Sequence, residues 1–367
     1  MEIYLYIVAS VLIFGALMPQ QGPQRKYYIG LMTLIHAFVT GFRYEHLTGD
    51  LKKYHYSFTL YDEMGWFSEE LLQNGRNTAF FWLNKLVNVL SGENFQALLV
   101  VIALIIYLIL AYVIYKYSTA PWLSYLTWNC MGFFIFGLSA IKQALAMAFV
   151  MLAFVGAAER KFKLFLGAMA LAGLTHMPAL IFLPTYWLMR LRSDEKLIIL
   201  YILLGIALYV FKEQFVAFIG SFYYEEDELM VFSGEIGNRF LMLLGFTLFG
   251  VMFRGFSDKT VSHLFHVMAI ATMLQMLAGF DNIFTRLTDY YFQLSVLYLP
   301  LTFFPREDRA GTASMGPVIP FNRRSLKVLA VLVAAFMLWF YWRYNINITI
   351  AVEANNYLNF RFMWDVP

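Results

Sequence analysis

The sequence predicts an all-α, polytopic integral membrane bundle of about twelve transmembrane helices with an amphipathic-helical external loop, and three observations carry that prediction. First, 60% of the 367 residues are hydrophobic and only 14% are charged, with a mean hydropathy of +0.62. Second, apolar runs near the bilayer-spanning length of ~20 residues recur along the chain. They are continuous rather than alternating, so their backbone groups are satisfied within helices and not around a barrel. Third, Lys and Arg concentrate in alternate loops.

The expected spans are 2–19, 27–42, 95–115, 121–139, 142–158, 162–175, 178–190, 197–211, 239–253, 261–279, 287–304 and 327–345. The first run follows Glu2 with no basic n-region and reaches Pro19 with no small-residue cleavage signal, so it reads as an uncleaved span. Several runs are short, 162–175 above all, which fits tilted or re-entrant segments. Residues 142–158 and 162–175 form a helical hairpin about the basic turn Glu159 to Lys163. Its small residues, among them Ala144, Ala148, Gly156, Gly167 and Gly173, suit close helix packing.

The loops at 20–26, 116–120, 159–163, 190–196, 254–260 and 304–327 hold 16 of the 27 Lys and Arg but only 6 of the 24 Asp and Glu. Placing them in the cytoplasm puts both termini of a multi-pass membrane protein outside. The chain is expected to be one transmembrane domain, 1–367. Its large external loop at 43–94 is rich in aromatics and charges, as interfacial amphipathic helices are. A second external loop, 212–238, carries an acidic run at Glu225 to Glu228, and 305–327 reads as a cytoplasmic linker.

A net charge of +3 without a long basic tract gives no argument for nucleic acid. Cys130 is the single cysteine, which rules out an intrachain disulfide and a cysteine metal cluster. His176 has no second ligand at metal spacing, and His263 and His266 read as an interfacial helix start, so no metal is expected. Gly-rich phosphate loops, Gly-x-Ser-x-Gly elbows and His-Glu-x-x-His motifs are missing, so nucleotide chemistry is not indicated and no cofactor is expected.

Charged residues at span ends are costly and are kept for a site, or else they snorkel to headgroups. On this topology Arg43, Asp50, Lys142, His176, Arg239, Arg286 and Asp289 all fall at external ends. In FTRLTDYYFQLSV, Arg286, Asp289, Tyr290 and Gln293 share one helical face. That stripe is either a ligand surface, with tyrosines suited to sugar, or a local Arg286 to Asp289 ion pair. Asp50 follows Gly49 and precedes Tyr54; it is a general base for a hydroxyl-rich ligand, or the cap of the next helix. External cations suit pyrophosphate, and the tyrosines suit saccharide.

These residues resemble the EpsG-like membrane proteins of bacterial exopolysaccharide and capsule synthesis, which are Wzy-type polysaccharide polymerases. The resemblance rests on four patches in order: Arg43 with Gly49, Asp50 and Tyr54; Lys142, Gln143 and Ala144; His176 with Pro178, Ala179 and Leu180; and Arg286 with Tyr290. Two positions depart from the family pattern, which usually has Arg at Lys142 and a small hydroxyl residue after the His, where this chain has Met177.

The resemblance implies a glycosyltransferase that moves a growing glycan from undecaprenyl pyrophosphate to the next lipid-linked repeat unit, for exopolysaccharide, capsule or O-antigen. Asp50, His176 and Arg286 would be catalytic, Asp50 or His176 accepting the acceptor proton and Arg286, with Arg43 and Lys142, stabilising the departing pyrophosphate. Arg43, Tyr54, Lys142, Gln143, Arg239, Asp289, Tyr290 and Tyr291 would hold substrate. Membrane lipid and a chain-length regulator protein would be partners. A flippase or transporter of lipid-linked oligosaccharide, or a glycan ligase, would share many of these features, but no inverted repeat marks a transporter.

Overall fold

The computed structural model of the chain describes residues 2–68, 77–191, 193–220, 237–256, 259–279, 282–305, 317–319, 322–350 and 360–365. Among them the regular structure is helical, and the one β-type pairing is an isolated antiparallel bridge between Arg43 and Phe362. Four helices are long and apolar enough to cross a membrane: Phe95–Tyr117, Ile141–Ala158, Lys259–Gly279 and Arg323–Ile346. The pair Glu195–Val210 and Lys212–Phe218, bent by 80°, adds a fifth if it is one span. Glu2–Leu17, Phe162–Thr175, Met177–Leu188 and Asn238–Phe253 are shorter apolar helices. The protein is therefore an integral membrane protein with four to five full-length spans among the described residues, fewer than the twelve expected from hydropathy, a number that counted the short and broken helices as well.

The described chain forms two compact units, Met1–Leu180 with Lys327–Pro367, and Ile181–Leu326. The first contains α1 (Glu2–Leu17), α2 (Arg25–Gly41), α3 (Gly49–Glu63), α4 (Thr78–Ser91), α5 (Phe95–Tyr117), α6 (Pro121–Cys130), α7 (Phe133–Ser139), α8 (Ile141–Ala158) and α9 (Phe162–Thr175). The second contains α10 (Thr185–Leu188), α11 (Glu195–Val210), α12 (Lys212–Gly220), α13 (Asn238–Arg254), α14 (Lys259–Met276), α15 (Asn282–Phe292) and α16 (Ser295–Phe303). Helix α17 (Arg323–Phe340) leads back into the first unit and ends in a π-helical stretch, Tyr341–Ile350.

In the first unit α5 packs between α2 and α8, and α8 packs along α9 as the expected hairpin. Gly156 allows that approach: a Cβ there would lie 2.5 Å from the Phe165 backbone nitrogen. The turn closes as a Schellman motif, with Lys161 N–H donating to the Gly156 carbonyl at 2.8 Å and Arg160 N–H to that of Ala157 at 3.2 Å. Arg160 takes the left-handed position, at φ 58°, where glycine is usual. Beyond the turn, Glu159 accepts from Lys116, from Lys161 at 2.8 Å and from the Tyr117 hydroxyl at 3.1 Å. The Lys116 hydrogen bond first, and then that of Lys161, hold the Glu159 carboxyl down to about 2.

A fully buried histidine, His36, lies mid-helix in α2, with Nδ1 2.7 Å from the Met32 carbonyl oxygen and Nε2 3.0 Å from the Asn129 amide nitrogen. A polar ring inside an apolar bundle needs such partners, and this one ties α2 to α6. In the second unit α14 is central, packing on α11, α13, α15 and α16. Helix α11 is capped by Asp194, which accepts from Leu197 N–H at 3.1 Å, and leaves Ile199, Ile202, Leu203, Ile206 and Val210 exposed. Such an outward apolar face suits lipid as solvent.

Several expectations change. The span at 121–139 is two helices, α6 and α7, separated at Met131 and Gly132, where Gly132 has φ 89°. The span at 178–190 is a 3-10 segment, Met177–Phe182, followed by the single turn of α10. The span at 287–304 breaks after Phe292 into α15 and α16, and Pro300 lies inside the latter. His263 and His266 are buried rather than interfacial, with His266 2.8 Å from the Tyr201 hydroxyl and 3.2 Å from that of Ser193. The loop at 43–94 does contain two helices, α3 and α4, packed on each other. The acidic run at Glu225 to Glu228 and most of the linker at 305–327 lie outside the described residues.

Candidate functional site

In the first unit the candidate residues gather where α2, α3 and α7 end or begin. Arg43 directly follows α2 and is buried, with 1% of its surface exposed. Its Nε donates to the Leu138 carbonyl at 3.0 Å, and its Nη1 donates to the Thr40 carbonyl. Both acceptors lie in the last turns of helices, where carbonyls lack intrahelical partners and the helix dipole favours a cation. Arg43 thus joins the C-terminal ends of α2 and α7. Its backbone is held from the other side by the chain's far end, since Tyr44 N–H donates to the Arg361 carbonyl at 2.8 Å and Met363 N–H to that of Phe42 at 2.9 Å.

Thr48 is the N-cap of α3; its hydroxyl accepts from Leu51 N–H at 3.3 Å and lies 3.1 Å from the Ser139 hydroxyl. Capping therefore falls to Thr48, and Asp50 stands free of that task in the first helical turn, exposed to solvent. The Ser139 hydroxyl donates to Asp50 Oδ2 at 3.3 Å. Tyr54 follows one turn later on α3, half-buried, with its ring edge-on to Phe80 at 5.8 Å. Helix α8 begins two residues after Ser139; its Ala140 N-cap offers no side-chain hydrogen bond, and its first turn bears Lys142, half-buried, and Gln143, buried. His176 ends α9 in an extended conformation, half-buried, with its backbone N–H bonded to the Ala172 carbonyl at 2.8 Å.

The same turn holds a group that the sequence reading passed over. Glu45, His46 and His55 bring one ligand atom each within 4.8 Å of one another. Glu45 and His46 precede α3, while His55 lies on its second turn, a spacing that matches no metal motif. The signal was a histidine pair bracketing Asp50, with a carboxylate next to the first.

In the second unit Arg239, at the start of α13, forms an ion pair with the buried Asp289 of α15 and stacks its guanidinium 5.2 Å from the Phe292 ring centre. The acidic partner expected for Arg286 is thus hydrogen-bonded by a different arginine, while Arg286, exposed on α15, adds its own electrostatic attraction to Asp289. Tyr290 and Tyr291 are buried. The Tyr291 hydroxyl donates to the Ile181 carbonyl and its ring packs on Phe182 at 4.9 Å, which anchors the 3-10 segment. Tyr290 and Tyr291 are thus core residues of α15, and Arg286 is the solvent-exposed one of the four candidates on that helix. An apolar cavity of about 460 Å³ lies among α11, α13 and α14, lined by Ile202, Ile206, Phe240, Leu244 and Met273 among others.

The sequence matches the EpsG family profile over residues 26–362, nearly its whole length. The chain belongs to the EpsG family. No curated protein and no solved structure matches it. EpsG is a Wzy-like polymerase family, so this member is a membrane protein of polysaccharide biosynthesis. All eleven candidate residues fall within the matched range, and the EpsG match ends at Arg43's bridge partner, Phe362.

Proposed function

We propose that this EpsG-family protein is a Wzy-type polymerase of the bacterial cytoplasmic membrane, with both termini and its chemistry on the external side and with the short and broken helices bringing its crossings to about twelve. It transfers a growing glycan from undecaprenyl pyrophosphate to a hydroxyl of the next lipid-linked repeat unit. The observation that carries the reading is the Asp50 to Ser139 hydrogen bond, with the uncapped, Lys142-bearing start of α8 following at once. A carboxylate relieved of capping is free to accept a proton. A lysine at a helix N-terminus works against the helix dipole and is explained by an anion nearby.

In the reaction, the bond from the sugar anomeric carbon to the pyrophosphate oxygen breaks as the acceptor oxygen bonds to that carbon. The acceptor proton passes to Asp50, or to His176, and the electron pair leaves with the pyrophosphate. Cations stabilise that developing charge, a role assigned to Lys142 in the first unit, with Arg286 in the second unit as a separate candidate for it. Arg43 acts by positioning, since its guanidinium is committed to two helix ends. Gln143 and Tyr54 flank the proton acceptor as sugar contacts, and Arg239 and Asp289 hold the α15 that presents Arg286. The apolar cavity in the second unit suits the prenyl chain of the lipid carrier.

The test is the purified protein in liposomes with a lipid-linked repeat unit as sole substrate. Longer lipid-linked chains support the reading. Transbilayer movement of substrate without new glycosidic bonds would make the protein a flippase. Undiminished long-chain glycan in cells carrying Arg286→Ala would remove Arg286 from the pyrophosphate role.

A further inference from the structure

We infer that Glu45, His46 and His55 form a binding site for a divalent transition-metal ion of the zinc class, on the turn that leads into α3. His46 Nε2 lies 2.8 Å from His55 Nδ1, and Glu45 Oε1 lies 3.6 Å from His55 Nδ1 and 4.0 Å from His46 Nε2. An ion bound to nitrogen and oxygen at about 2.0–2.2 Å sets its ligand atoms about 3 Å apart in either tetrahedral or octahedral geometry. The observed triangle brackets that separation, so the three atoms close on an ion by shifts of side-chain torsions alone.

The two ring nitrogens face each other at hydrogen-bonding distance, so at most one of them carries a proton along that line. A metal ion replaces this single shared proton and satisfies both lone pairs. The rings are already oriented from behind. The Tyr44 hydroxyl lies 3.5 Å from His46 Nδ1, the ring nitrogen not used for the metal. His55 stacks on the buried Phe95, with ring centres 4.7 Å apart and planes 4° from parallel. Such outer contacts fix ring direction at metal sites.

The backbone is fixed as well. Leu47 N–H donates to the Tyr44 carbonyl at 3.1 Å, and the Thr48 cap sets the start of α3. The side chains of Glu45, His46 and His55 are 30%, 36% and 26% exposed, so an ion has access, and three protein ligands leave at least one coordination position for water or an external oxygen donor. Because two ligands precede α3 and one lies on it, the ion staples the turn to the helix that carries Asp50. The inference stands apart from the polymerase reading, because metal binding is measured without any glycan.

The experiment uses the full-length protein, purified in detergent through a tag without histidine. Zinc is titrated in competition with a chromophoric chelator, and the zinc-loaded protein is studied by X-ray absorption. The expected result is one tight zinc per chain with two imidazole ligands, weakened about tenfold or more by His55→Asn and by His46→Asn, and less by Glu45→Gln. Zinc is also expected to raise the thermal midpoint of the native chain and not of the double histidine variant. Absence of stoichiometric binding, an absorption spectrum with no more than one imidazole, or unchanged affinity in a folded double variant would each overturn the assignment. The spectrum of the native chain needs no substitution, so misfolding of a variant does not decide the matter.

Discussion

Ser139, the last residue of α7, donates its hydroxyl to Asp50 in the first turn of α3, and Thr48 takes the capping of that helix in place of Asp50. Asp50→Asn keeps the shape and the hydrogen bond but removes the charge. Its expected effect is a fall in polymer formation of about 10²–10⁴, the contribution typical of a general base, with unchanged protein abundance and thermal midpoint. Immunoblots of membranes beside glycan gels check both halves of this statement.

Arg239 and Asp289 are unequal partners, the carboxylate being nearly buried and the guanidinium 23% exposed. Removing Arg239 strands a buried charge, so Arg239→Met should cost about 2–4 kcal/mol, at or below the range for broken buried pairs because water still reaches the arginine. Asp289→Leu should cost less, since the remaining arginine can turn to solvent. The double variant should be more stable than Arg239→Met alone. Thermal unfolding of the four proteins in detergent closes the cycle.

Gly156 and Arg160 predict opposite signs within one hairpin. Gly156→Ala places a methyl group against the Phe165 backbone, which cannot swing aside as a side chain would, and should destabilise by about 1–3 kcal/mol. Arg160→Gly removes a left-handed non-glycine residue and should stabilise by up to about 1 kcal/mol. Midpoints measured under one set of detergent conditions rank the two against the native chain.

Glu159 gives an acid-side prediction. Its pKa in the folded chain is lowered to about 2 from an ordinary 4.5, by Lys116 first and Lys161 second. A depressed carboxyl stabilises fully above its unfolded value and loses that contribution as pH falls toward its folded value. Glu159→Gln should therefore flatten the loss of stability between about pH 4.5 and pH 2, and, because the Glu159 hydrogen bond also raises the Lys116 pKa, it should remove the part of the alkaline loss of stability that comes from Lys116 as well. Unfolding midpoints recorded on both limbs decide it.

The helical class was legible because continuous apolar runs leave the backbone no alternative in lipid. The hairpin of α8 and α9 was legible too, since its small residues and basic turn are local features. The breaks were not. Met131 and Gly132 interrupt an apolar run that hydropathy sees as unbroken, and the stop after Phe292 shows no turn signal. Asp50 could be read as a cap or as a base from its neighbours alone; the Thr48 hydroxyl takes the cap, and the Ser139 that bonds Asp50 is far away in sequence. Arg43 looked like a membrane-edge cation, yet its acceptors are carbonyls on helices whose ends meet only in the folded chain. The Arg286 and Asp289 spacing fitted a local ion pair, and Arg286 does act on that carboxylate, but the hydrogen bond to it comes from Arg239 on another helix, which local spacing does not reveal.

The bridge between Arg43 and Phe362 has a consequence for how the protein is made. A ribosome delivers α2 long before residue 362, so the segment bearing Arg43 waits for its neighbour until α17 has been made. The pairing also obliges residues 43 and 362 to lie in the same compartment, which makes the number of crossings between them even. The backbone pairing beside the Asp50 region thus depends on residues made after α17, and a chain arrested before residue 360 should lack it even though α2 and α3 are fully translated.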